Sequence, residues 1–236
     1  MSVAAFANHD GAFVSRRILT HLPAISGVSI NLDNKFSHQR HVVESYIHDK
    51  FQQQYGADVK HFLPHILSMK CNENMCATVG IRAAESEPLF LENYLSFPIE
   101  QEIGHHFKTA IKRENIVEIG NLVSTWRGSS QLLFIFLTDL LCRLNREWVV
   151  FTATKEVEFL LKKINFSPVH LAEASVNMLN DDKGMWGSYY DGNPKVMFGH
   201  APSAMSILKN SKILSSPLSI FSDSLSDIAD KWNERK

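Results

Sequence analysis

At 236 residues and 44% hydrophobic composition, the chain is long and apolar enough to fill a sizeable core, which excludes wholesale disorder. Lys and Arg number 24 against 25 Asp and Glu, for a net charge of −1, so no electrostatic footprint points to nucleic acid. Cys71, Cys76 and Cys142 do not make a disulfide framework: the spacing in CNENMC is neither a redox nor a zinc pattern, and an odd count fits a reducing compartment.

The opening segment, MSVAAFANHDGAFVSRR, has no basic stretch leading into an apolar one and predicts no secretory signal. Residues to about Gly27 carry little pattern, and a short strand follows at Val28 to Leu32. Ser37 caps a predicted helix reaching about Tyr55, with Val42, Val43, Tyr46, Ile47, Phe51 and Tyr55 at helical spacing. Two strands, His65 to Lys70 and Met75 to Arg82, flank the polar turn CNEN. A third strand is predicted at Leu89 to Tyr94, and Pro98 starts a helix continuing to about Ile111.

Beyond it the pattern alternates. Ile116 to Ser124 reads as a strand, Ser129 to Arg146 as a helix and Trp148 to Thr154 as a strand. Lys155 to Ile164 is a second helix and Ser167 to Ala174 a further strand. Strands apolar on both faces and joined by helices mark parallel pairing within a mixed sheet, so the fold class is α/β, an α+β sandwich whose C-terminal half is a β-α-β-α-β unit. A short strand at Lys195 to Phe198 precedes two helices from Ala204 onward, the last from about Pro217 to the end, its apolar side formed by Ile220, Leu225, Ile228 and Trp232. One domain over residues 1–200 with a docked helical tail over 201–236 is the expected organisation. The longest apolar run, Leu132 to Leu137 with Leu140 and Leu141, falls short of the ~20 residues that span a bilayer, which predicts a cytoplasmic protein.

Two neighbouring features carry candidate chemistry. Glu118 lies inside the apolar strand VEIGNLVS, where a carboxylate must pair, accept hydrogen bonds or take up a proton. Two readings stand side by side: a general base, or half of a structural ion pair with an arginine of the first helix such as Arg40. Gly120 marks a bulge or a close approach. The turn from Ser124 to Ser130 joins a strand end to a helix start. Backbone N–H groups at Gly128, Ser129 and Ser130, the helix dipole and Arg127 suit a phosphate; plain capping by Ser129 or Ser130 is the other reading. Eleven histidines give no metal-ligand spacing, since Pro64 interrupts HFLPH, and no HExxH, GxSxG or Walker loop occurs, so no metal is expected.

From Ile116 to about Val169 the order of elements resembles the core of the GNAT N-acetyltransferase superfamily. WRGSSQL stands at its pyrophosphate loop, with Ser130 and Leu132 at the two later small positions. Leu161 stands where many members carry a tyrosine acid. VEIGNLVS is similar to the Glu-x-Ser-Arg-Phe segment of acyl-homoserine lactone synthases, with Glu118 at the acid and Asn121 in place of the arginine. Over roughly Arg40 to His200 the chain resembles the thermostable haemolysin family through FQQQYGADVKHFLPHILSM, LENYLSFPIEQEI, IVEIGNLVS, WVVFTAT and WGSYYDGNPKVMFGH.

The resemblance implies an acyltransferase taking an acyl group from coenzyme A, or from acyl-carrier protein, to a small-molecule amine. Glu118 would act as base with Asn121 beside it, and Tyr189 or Tyr190 would supply an acid. Leu122 would offer a bulge-strand N–H to the thioester carbonyl, while Arg127, Gly128, Ser129 and Ser130 would hold the phosphates. The alternative, following the family name, is a membrane-active cytolysin acting through the helix Gln131 to Leu144 and the tail from Pro217. Asp223, Asp227 and Asp230 on that tail fit an anionic membrane surface poorly.

Overall fold

The computed structural model describes residues 25–179 and 184–233. Residues 1–24, to which the signal-peptide expectation refers, and 234–236, where the tail helix is expected to end, lie outside these ranges.

Strand β1 (Val28–Asn34) leads into helix α1 (Arg40–Tyr55). Ser37 does not cap that helix. Its hydroxyl oxygen accepts the Asn34 N–H at 2.9 Å, which turns the side chain backward, and the helix starts three residues later. Val43, Ile47 and Phe51 form the buried stripe of α1, and Gly56 ends it in the left-handed region at φ 65°. Strands β2 (His65–Cys71) and β3 (Asn74–Ala83) join through Asn72 and Glu73, both with positive φ, as a twisted two-residue hairpin turn requires.

That hairpin corrects the cysteine expectation, because Cys71 and Cys76 are disulfide-bonded. The β2–β3 register passes from Lys70↔Met75 to Met69↔Ala77, so Cys76 is the extra residue of a bulge. A bridge inside one hairpin is local and needs no framework of cysteine pairs.

Leu89 to Tyr94 is not a strand. Phe90–Tyr94 forms a 3₁₀ turn, because carboxylates rather than a neighbouring strand take up its amides: Leu89 N–H donates to Glu92 at 2.9 Å, and the next two donate to Glu118. Helix α2 (Ile99–Phe107) stops where Lys108 turns left-handed, short of Ile111. Then follow β4 (Ile116–Ser124), α3 (Ser129–Arg143), β5 (Trp148–Ala153), α4 (Lys155–Lys163), β6 (Val169–Glu173), β7 (Lys195–His200), α5 (Ala201–Lys209), α6 (Lys212–Ile220) and α7 (Ser222–Asn233).

The seven strands form one mixed sheet in the order β1-β2-β3-β4-β5-β7-β6. The expected β-α-β-α-β order is present as β4-α3-β5-α4-β6, with all three strands running in one direction. Among the described residues only β4 and β5 pair in parallel, because β7 inserts antiparallel between β5 and β6. Burial gives the reason. The middle of β7 is buried throughout and suits an interior place, whereas no residue of β6 is fully buried and it suits an edge.

The tail has three helices rather than two, and Pro217 falls inside α6 instead of starting the last one. Leu225, Ile228, Ala229 and Trp232 of α7 are buried, while Ile220 is exposed. One core lies between the sheet and α3 with the tail helices over it, the other on the face covered by α1 and α2. Helix α3 is thus enclosed. Leu132, Leu133, Ile135, Phe136 and Leu140 are fully buried, and at about 1.5–3 kcal/mol each their exposure would cost about 8–15 kcal/mol, comparable with the whole stability of a domain. No described helix is long and apolar enough to cross a membrane.

Candidate active site

All nine residues of β4 are buried. Its pairing with β5 ends at Ile119↔Phe151, although β4 runs on to Ser124 and β5 to Ala153. The two strands therefore part company over the second half of β4. On the other side, the β3–β4 register steps from Gly80↔Gly120 to Thr78↔Val123, so Val79 faces both Asn121 and Leu122. The extra residue is Asn121, at φ 48°, not Gly120. Asparagine tolerates the left-handed region because its short polar side chain bonds locally. Past the bulge the facing flips: Leu122 enters the α3-side core and Val123 the α1-side core.

Glu118, fully buried two residues before Gly120, is held from three directions. Its Oε1 accepts the Leu91 N–H at 2.9 Å and its Oε2 the Phe90 N–H at 3.1 Å. The Arg82 guanidinium lies 3.5 Å from Oε2. The ion-pair partner is therefore Arg82, directly across the β3–β4 ladder, and not Arg40. Arg40 is occupied elsewhere, with Glu44 at 2.6 Å and the carbonyls of Asp33, Leu63 and Pro64.

Arg40 and Asn121 together fix the segment leading into β2. Asn121 Oδ1 accepts the Leu63 N–H at 2.9 Å, and Thr78 donates its hydroxyl to the Asn121 carbonyl at 3.2 Å. Gly80 leaves room for this contact: a Cβ there would stand 2.9 Å from both Asn121 Oδ1 and Leu63 Cβ. The Asn121 side chain acts here as a backbone anchor for the segment carrying Lys60, His61 and Phe62.

The hydroxyls of Tyr190 and Tyr94 meet at 2.5 Å, and Tyr189 is buried among Tyr55, Trp186 and Tyr190. Burial, reinforced by Tyr190, raises the Tyr94 phenol far above its ordinary range; Glu118 adds a smaller push in the same direction. Burial and Glu156 push Tyr55 up to about 12. The sequence reading passed over Tyr94 and Arg82. For Arg82 a signal existed, as it is the one charge in the apolar strand that forms the hairpin preceding Glu118. For Tyr94 there was none, since its partner lies 96 positions along the chain.

The turn after β4 is built on Ser129. Its hydroxyl contacts Ser124 Oγ at 2.6 Å and donates to the Trp126 carbonyl at 2.7 Å, and its N–H donates to the same carbonyl at 3.1 Å. Ser129 is thus spent on the turn itself, which corrects its assignment as a free phosphate donor. The N–H groups of Gly128 and Ser130 have no acceptor among the described residues. Arg127 is exposed beside them, and together with burial its positive charge pulls the Lys163 ammonium below its ordinary value. The Cys76 carbonyl anchors this turn by accepting the Thr125 N–H at 3.0 Å, and Tyr46 of α1 reaches Thr125 Oγ1 at 3.1 Å. No cluster of three or more potential metal ligands occurs among the described residues.

Solved structures share this architecture. The acyl-homoserine lactone synthase BjaI, described as CoA-dependent and solved with SAM and isopentyl-CoA, is 11% identical over 78% of this chain and 89% of its own, with a TM-score of 0.53. FeeM, an N-acyl amino acid synthase from uncultured soil microbes, is 8% identical over 78% and 96%, with a TM-score of 0.52. The acyl-homoserine lactone synthase LasI is 12% identical over 74% and 90%, with a TM-score of 0.50. At these identities the likeness shows a common fold, an α/β architecture built on one mixed sheet. No curated protein matches the chain. A sequence profile described as thermostable hemolysin matches residues 34–205, most of the length, and the chain belongs to the thermostable hemolysin family.

Proposed function

We propose that this protein is an N-acyltransferase moving an acyl group from a thioester, on coenzyme A or a carrier protein, to an amine. The observation that carries the reading is the parting of β4 from β5 at the Asn121 bulge, between a held carboxylate and a basic helix start. From Glu118 to Ser124 is six residues of strand, about 20 Å, a span for an extended thioester arm. Phosphates would sit against the Gly128 and Ser130 amides, with Arg127 and Lys163 beside them. The names of BjaI and FeeM, both acyl-transferring enzymes, point the same way.

In this reading the amine nitrogen attacks the thioester carbonyl, a C–N bond forms and the C–S bond breaks. The Leu122 N–H would receive the developing oxyanion. Glu118 draws the amine proton, directly or through a water, and the Tyr190–Tyr94 pair returns one proton to the departing thiolate. Asn121 holds the bulge and the segment beside it in place.

The test is acyl-CoA titration together with turnover over an amine panel. Glu118→Gln should lower turnover by at least about 100-fold, within the range of lost acid–base catalysis, while leaving donor affinity nearly unchanged. Arg127→Ala should weaken acyl-CoA about tenfold. Equal turnover in Glu118→Gln would remove that residue from the mechanism, and undiminished binding in Arg127→Ala would remove the turn. The membrane-active reading is not favoured, because its apolar helix is enclosed on both sides. Dye release from vesicles by the purified protein would reinstate it.

A further inference from the structure

An open cleft of about 660 Å³ lies beside Glu118, and its lining joins two chemistries. Phe62, Phe90 and Trp186 give it aromatic walls, and positive charge exceeds negative, since Glu44 is paired with Arg40 and Glu87 with Arg82 while Lys35 and Lys60 add two further cations. Arg82 and Phe90 are also the residues that hold Glu118, so the cleft and the carboxylate share one wall.

One donor in that wall is unspent. Trp186 is only 5% exposed, yet its Nε1–H has no hydrogen-bond partner. The Arg82 guanidinium beside it is shared between Glu87, 3.1 Å from Nε, and Glu118. Buried donors are paired in the great majority of cases, so the Trp186 orphan marks a place for an acceptor oxygen. The remaining cations agree. Lys35 has no ion pair among the described residues, and Lys60 meets only the exposed Asp58. The segment carrying Lys60 and Phe62 is the one clamped by Asn121 and Arg40, so this wall is braced by the β4 bulge.

We infer that this cleft binds the acyl acceptor, and that the acceptor is an amine bearing a carboxylate and an apolar side chain, an α-amino acid in class. The inference rests on the acyltransferase reading for the word acceptor; the ligand chemistry comes from the cleft. The carboxylate takes the Trp186 donor within the field of Arg82, Lys35 and Lys60, the side chain lies along Phe62, and the amine is directed at the Phe90 wall, behind which Glu118 lies.

The experiment compares L-phenylalanine, L-leucine and L-methionine with their amides and their decarboxylated amines. Calorimetric binding to the full-length protein is measured first. N-acylation from acyl-CoA is then followed by mass spectrometry. The acids should bind at least about tenfold tighter than amides or amines, the discrimination of a site built to hydrogen-bond its ligand. Trp186→Phe and Lys35→Ala should each erode that preference, weakening the acids more than the amines, with melting curves to establish that both variants are folded. Equal affinity across each set, or no binding of any acid, would overturn the inference. So would acylation of amides and amines but not of acids, a result that leaves the acyltransferase reading intact. Preferential binding of acids without product from any compound would uphold the ligand class and overturn the acyltransferase reading instead.

Discussion

Replacing Asn121 tests whether the bulge is held as described. In Asn121→Ala the buried Leu63 N–H loses its acceptor, which costs about 1–3 kcal/mol. A Cβ-bearing residue without a local polar bond at φ 48° adds about 1–2 kcal/mol. The sum is about 2–5 kcal/mol. For a chain of this size each kcal/mol lowers the melting temperature by about 2–4 °C, so the variant should melt roughly 5–20 °C early. Asn121→Gly loses the same hydrogen bond but adopts positive φ freely, so it should be about 1 kcal/mol more stable than the alanine variant despite the smaller residue. Urea denaturation followed by circular dichroism measures both. An alanine variant within about 0.5 kcal/mol of wild type, or a glycine variant less stable than it, would refute the account of a left-handed asparagine anchoring Leu63.

Two further outcomes follow from groups away from the cleft. Reducing the Cys71–Cys76 bridge, which closes a loop of six residues, should cost at most about 2 kcal/mol on the loop-entropy scale; Cys71→Ser should show the same loss and become insensitive to dithiothreitol. Tyr55 titrates near 12 when folded and at its ordinary 10 when unfolded. Its contribution is therefore fully present below pH 10 and is lost as pH rises through 12. In Tyr55→Phe the alkaline decline between those values should be shallower, and an identical stability–pH curve would sink the assignment.

Local pattern was enough for β4, α3 and β5, because each is an apolar run bounded by turn residues, and for α4, whose Val157 and Leu161 recur at helical spacing among charged residues. It was enough too for the acid in β4 and the turn after it, since a carboxylate among Ile, Val and Leu is visible without coordinates. It failed at Leu89 to Tyr94, where apolar content suggests a strand. That segment turns instead, because Glu118, 27 residues from Leu91, takes up its amides. The bulge was expected from Gly120, but the extra residue is its neighbour Asn121. A bulge is defined by the register of the strand opposite, which no single segment contains.

By itself, then, the sequence determined where most helices and strands lie, that one acid is buried and that a basic turn follows it; these depend on periodicity and composition within a few residues. Tertiary structure alone decided that β7 separates β5 from β6, that Arg82 rather than Arg40 faces Glu118, and that the α3 helix is enclosed by the tail. It also brought Tyr94 to Tyr190 and set Trp186 into the same wall as Arg82. Those outcomes turn on which surfaces meet once the chain closes on itself, and side chains dozens of residues apart then compete for the same buried donors and acceptors.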